Sequence, residues 1–100
     1  MTIEILDLAE ADLLAGHSFY ERQAEGIGDY FLHSLSADIE SLRLYAGAHR
    51  KVFGFYRLLS ERFPFAIYYR MKRGHIKVWR VLDCRMAPAN IREQLAPSGV

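Results

Sequence analysis

The chain is 100 residues long, 51% hydrophobic, with a net charge of +1 and one cysteine. That suffices for one core and one domain, expected over residues 1–96 with a loose tail at 97–100. The apolar runs fall short of the roughly 18 residues of a membrane span, no basic-then-apolar leader opens the chain, and a lone cysteine forms no internal disulfide, so the expected setting is the reducing cytoplasm.

The charge is unevenly spread. Residues 1–49 hold two basic side chains, Arg22 and Arg43, against nine acidic ones, whereas residues 50–86 hold ten Lys or Arg against Glu61 and Asp83. An acidic half joined to a basic half points to an acidic partner for the second, whether nucleic acid or peptide. A solvated strand face protected by Lys and Arg is the plainer alternative.

Residues 2–8 alternate loosely and predict a strand. From Ala9 to Ala24 the chain reads as a helix, with Leu13, His17, Tyr20 and Ala24 on one face, Asp7 as cap and Glu10 three residues on. Glu25-Gly26-Ile27-Gly28 stops it. A second helix, capped by Asp29, runs to about Ala46, where Phe31, Leu35, Ile39, Leu42 and Ala46 recur at helical spacing. So short a connector makes the two helices antiparallel, a hairpin whose apolar seam faces a sheet.

Past Gly47-Ala48-His49, an aromatic-rich strand is expected over about Lys51 to Leu59, with Gly54 marking a bulge or close backbone contact. Phe65 to Met71 alternates as a half-buried strand, with Phe65, Ile67, Tyr69 and Met71 on one face and Ala66, Tyr68 and Arg70 on the other. Pro64 suits a strand's first residue, and Lys72-Arg73-Gly74 reverses the chain into a strand that exits through Val81-Leu82-Asp83-Cys84-Arg85. Pro88 suits the first turn of a short closing helix. The predicted class is α+β: a helical hairpin on a largely antiparallel four-stranded sheet, in the order β-α-α-β-β-β plus a C-terminal helix.

Chemistry-bearing motifs are sparse. The histidines at 17, 33, 49 and 75 lack metal-ligand spacing and read as ordinary surface or helix-face residues, so no metal is expected. There is no phosphate loop or nucleophile elbow, and no cofactor is implied. Cys84 beside Arg85 is either a thiol of lowered pKa or, the reading preferred here, a small packing residue.

The strand entry Phe63-Pro64-Phe65-Ala66-Ile67-Tyr68-Tyr69, the exit Val81 to Arg85 and the proline-started helix resemble, in order and spacing, the RelE/ParE superfamily. These are the toxins of bacterial type II toxin–antitoxin modules, also called plasmid stabilisation proteins. The family's A-x-x-D-L helix opening is matched by Ala9, Asp12 and Leu13, and its G-[IL]-G connector by Gly26, Ile27 and Gly28.

The resemblance implies a cytoplasmic growth inhibitor and a cognate antitoxin as partner. On the favoured ParE-like branch the toxin binds a protein target such as DNA gyrase and is not an enzyme. The alternatives are a ribosome-dependent mRNA endonuclease of the RelE type and a degenerate, non-toxic member that only binds antitoxin. Against the enzyme stand Ala66, where many nucleases place arginine, Asp83, where a histidine is frequent, and the lack of Tyr or His after Arg85. The candidate target- or antitoxin-binding residues are Arg57, Arg70, Arg80 and Arg85, with Arg57, Arg70 and Arg85 as phosphate-handling groups if the chain cleaves RNA. Strict alternation places Arg80 with Ile76, Val78 and Leu82, so either a bulge turns it out or it pairs with an acidic helix residue. For all four arginines, salt bridging to the acidic helices is the structural alternative.

Overall fold

The computed structural model describes residues 1–96, and the tail expected at 97–100 lies outside the described residues. In chain order run β1 (Thr2–Ile5), α1 (Asp7–Glu21), α2 (Ile27–Glu40), the single turn α3 (Leu42–Tyr45), β2 (Lys51–Val52), β3 (Phe55–Leu59), β4 (Phe65–Lys72), β5 (His75–Asp83) and α4 (Pro88–Leu95). The strands form one sheet ordered β1-β5-β4-β3-β2, antiparallel except for β1, which pairs in parallel with β5. The predicted α+β architecture is present, with five strands in place of four.

The extra strand arises where one strand was expected over 51–59. Val52 pairs with Phe55, so Phe53 and Gly54 form a two-residue hairpin loop, with φ of 53° and 83°. Positive φ at both positions is what a type I′ turn demands. Arg73 and Gly74 repeat the device between β4 and β5, with φ of 49° and 79°.

The helical hairpin packs as its second half predicts: Phe31, Leu35, Ile39 and Leu42 are all buried. The buried face of α1 is Ala9, Leu13 and Gly16, with Tyr20 packed at its edge. It differs from the predicted face by His17, which is half-exposed, and Ala24, which lies past the helix and is exposed. Gly16 lies over Phe31 so closely that a Cβ there would sit 2.4 Å from the ring.

The caps also differ from expectation. Asp7 lies inside the first turn of α1, favouring the helix dipole rather than capping it. At α2 the capping side chain is Glu21, whose carboxylate accepts from the N–H groups of Gly26 (3.0 Å) and Gly28 (2.9 Å). Asp29 instead meets His17 Nε2 at 2.9 Å.

β4 is the central strand and over residues 65–69 is buried on both faces, not half-buried, while Arg70 and Lys72 beyond them are exposed. Phe65, Ile67 and Tyr69 join Ile76, Val78 and Val81 beneath the helical hairpin. Ala66 and Tyr68 join Phe55 and Leu82 beneath Ile91 and Leu95 of α4 on the opposite face. Tyr69 places its hydroxyl to accept the Gly47 N–H (2.9 Å), and His49 Nδ1 lies 2.5 Å from the same oxygen. His49 is thus a half-buried anchor of the loop before β2 rather than a surface residue.

A bulge in β5 settles the position of Arg80. Tyr68 faces Arg80 while Tyr69 faces Val78, so Trp79 is the extra residue. After it Val81 turns toward the helices and Leu82 toward α4.

Candidate functional site

The four candidate arginines do not converge. Arg80 reaches over the edge of β5 to α1, where its Nε and Nη2 donate to the two Asp12 oxygens at 2.7 and 2.8 Å. Its Nη1 donates to the Gln94 carbonyl of α4 at 2.9 Å. Only 12% of the Arg80 side chain and 14% of Asp12 are exposed. Hydrogen bonding to the Asp12 carboxylate raises the pKa of Arg80, against some opposing desolvation. Arg80 therefore ties the sheet to both α1 and α4.

Arg85 forks onto Asp83, Nε at 2.9 Å and Nη2 at 2.7 Å, while its own N–H also donates to Asp83 Oδ1 at 2.8 Å. The pair lies at the strand exit with 60% of the Arg85 side chain exposed. Hydrogen bonding from Arg85 holds the Asp83 carboxyl below its usual range. Tyr20 of α1 approaches the same guanidinium, a neighbour that helix periodicity alone assigned to the core.

Arg57 on β3 stands opposite Tyr68 and beside Cys84. Its Nε is buried without a hydrogen-bond partner among the described residues. Burial raises the pKa of Tyr68, and the positive charge of Arg57 partly offsets that. Cys84 is an exposed residue rather than a packing one. Partial burial nevertheless pushes its thiol pKa up, with Arg57 pulling the other way, so Arg85 does not activate it.

Arg70 on β4 is exposed, its guanidinium 4.1 Å from the Phe55 ring centre and 5.2 Å from that of Trp79. Lys72, His75, Lys77 and Met71 surround it in an open cleft of about 350 Å³. The sequence reading singled out Arg70 but not Lys72, His75 or Lys77. Their meeting depends on the two-residue turn register, which the sequence read as a three-residue reversal.

A second groove, of about 310 Å³, runs between α1, β5 and α4 and is lined by Phe19, Leu82, Met86, Arg80 and Asp83 among others. Phe19 at its rim is 43% exposed. No helix of the described residues is long and apolar enough to cross a membrane.

No family model matches the chain, and no curated protein matches it either. Among solved structures, it is similar to a chain of the chromosomal ParDE TA system from P. aeruginosa, with a TM-score of 0.73 and 23% identity. The match covers 81% of this chain and 92% of that one. The two chains therefore share an α+β fold.

Proposed function

We propose that the chain is the toxin of a type II toxin–antitoxin module, a growth inhibitor that binds a protein target and is neutralised by a cognate antitoxin. The observation that carries this reading is the shared fold with the ParDE chain, which extends over most of both chains. DNA gyrase is the proposed target, by resemblance to the ParE-like branch, and the cytoplasm the proposed setting.

Binding rather than RNA cleavage is favoured by how the arginines are spent. Arg80 is committed to Asp12, and Arg85 is forked onto Asp83, a carboxylate that repels phosphate. Cleavage by 2′-hydroxyl attack also needs a proton acceptor and donor, and no Tyr or His follows Arg85 in the sequence. Arg57, Arg70 and Arg85 are proposed as partner contacts, with Arg80 holding the frame that presents them.

The test is expression of the chain alone, with parallel assays of DNA supercoiling by gyrase and of transcript integrity on translating ribosomes. Growth arrest with impaired supercoiling and intact transcripts is expected. Codon-position cleavage of mRNA by the purified wild-type chain would overturn the binding reading in favour of an endonuclease. Unimpaired growth on full expression would leave a non-toxic antitoxin binder.

A further inference from the structure

The register of the β4–β5 hairpin sets Arg70 directly opposite Lys77 and Lys72 directly opposite His75. Both pairs lie on the face that carries Ala66 and Tyr68, past the end of the sheet that α4 covers, and all four residues are exposed. Like charges opposed across strands oppose folding, and here a cation pair, Arg70 with Lys77, is followed by Lys72 with a histidine. The carboxylate in register with them is Glu4 of β1, beside Lys77. Among the described residues no salt bridge holds Arg70, Lys72 or Lys77. The face thus carries concentrated positive charge that the fold leaves largely uncompensated.

Arg70 is also prepared for a particular shape of anion. Its guanidinium carbon lies 4.1 Å from the Phe55 ring centre and 5.2 Å from that of Trp79, and Trp79 is itself held by donating Nε1–H to the Leu95 carbonyl at 3.1 Å. A guanidinium held over aromatic rings still has N–H groups to offer a carboxylate or phosphate. The two cationic rows are two residues apart along β4, about 7 Å, which is also the spacing of alternate side chains on an extended peptide.

We infer that this cleft, built from Arg70, Lys72, His75, Lys77 and Trp79, is a docking site for an extended acidic peptide segment of a protein partner. The inference deepens the toxin reading and rests on it only for the source of that segment, an acidic stretch of the antitoxin. Single-stranded nucleic acid offers anions at similar spacing but gains much of its affinity from bases stacked on aromatic faces. Here Arg70 lies over the rings of Phe55 and Trp79, leaving less of them for bases. The cleft therefore fits carboxylates with small intervening side chains better than phosphates with bases.

Trp79 is the single tryptophan of the chain and reports on the cleft directly. Purified wild-type chain is titrated, with tryptophan emission as readout, against a capped ten-residue peptide of alternating glutamate and serine. A single-stranded oligothymidylate of equal formal charge is run at the same ionic strength. Saturable quenching or shift by the peptide is expected. Arg70→Gln and Lys77→Gln should each raise its apparent Kd by roughly tenfold, while Arg22→Gln, at the far end of α1, leaves it unchanged. Circular dichroism checks that each variant folds, and Lys77→Gln, which relieves the Arg70 repulsion, should melt no lower than wild type. No saturable change with the peptide, tighter binding of the oligothymidylate, or unchanged affinity in folded Arg70→Gln would overturn the inference. Any of these results leaves the growth-arrest test untouched, and absence of arrest leaves this titration interpretable.

Discussion

The Asp12 carboxylate on α1 completes the backbone pairing of β5: besides holding Arg80 in a fork, its Oδ2 accepts the Val81 N–H at 3.0 Å. β1 ends at Ile5, opposite Val78, so past that point β5 would otherwise present an unpaired edge. Ala9 and Leu13, the flanking members of the A-x-x-D-L motif, are both buried beneath it. The motif is thus a device for seating α1 on the edge of the sheet. Replacing one member of such a pair strands the other in a nearly water-free place. Asp12→Ala should cost on the order of 3 kcal/mol, and Arg80→Met somewhat less because its aliphatic stem still packs. Urea unfolding of both singles and the double checks this. A double variant as unstable as the sum of the singles would show that the two side chains act independently.

Gly16 permits the crossing of α1 over α2. Its missing Cβ would lie 2.4 Å from Phe31 Cζ and 2.5 Å from Cε2. That ring has no room to retreat, being packed against Tyr20, Phe63 and Phe65. Gly16→Ala should destabilise by roughly 1–3 kcal/mol through overpacking, despite alanine's better helix propensity. A thermal midpoint at or above wild type would mean that the helices can separate at no cost.

Burial lowers the pKa of His49 below its ordinary value of 6.5. The unfolded chain therefore takes up this proton before the folded one as the pH falls. The contribution of His49 is complete above about pH 6.5 and is lost as the pH drops through the depressed folded value. Protonation also turns Nδ1 into a donor facing a Tyr69 hydroxyl that already accepts from Gly47. His49→Gln should flatten the decline in stability between pH 7 and 5. Denaturant midpoints of both proteins across that range measure it, and parallel curves would remove His49 from the pH response.

Phe53 holds φ of 53° in the β2–β3 turn, a conformation that costs a bulky L-residue on the order of 1 kcal/mol relative to those that tolerate it. Phe53→Asn should raise the thermal midpoint, since asparagine-glycine is the preferred pair for this turn. A lower midpoint would show that the half-exposed ring contributes more against its neighbours than the turn loses.

The same turn explains one limit of reading this fold from its sequence. Arg73-Gly74 was legible because polar residues surround the glycine, whereas Phe53-Gly54 sits inside an aromatic run and mimics an uninterrupted strand. The apolar seam through Phe31, Leu35, Ile39 and Leu42 was legible, because spacing alone fixes which side of a helix is apolar, but the single helix expected to about Ala46 is broken at Ser41, which puts Leu42 in α3 and Ala46 past its end. The two-sided burial of β4 was not legible. Ala66 and Tyr68 read as an outer face until α4 is folded over them. Arg80 was legible as a choice between a bulge and an acidic partner, and both hold, because the bulge at Trp79 and the reach to Asp12 are one feature. At the candidate site, Arg70 stood out by its strand parity, but Lys72, His75 and Lys77 joined it only through hairpin register. The chain order of the strands gave no sign that β1 would pair in parallel with β5.

That parallel pairing governs when the molecule can be completed. The Thr2 N–H reaches the Gly74 carbonyl at 3.0 Å, and the Thr2 hydroxyl lies 2.6 Å from His75 Nδ1, so the first strand waits for one that emerges from the ribosome more than seventy residues later. The α1–α2 hairpin closes locally and early, whereas β1 and the Asp12 contact to β5 must carry the entropy of a long loop. A growing chain interrupted before β5 has the helices but lacks both the strand that receives β1 and the row that opposes Arg70. The basic cleft and the sheet edge therefore come into being together, once β5 has been made.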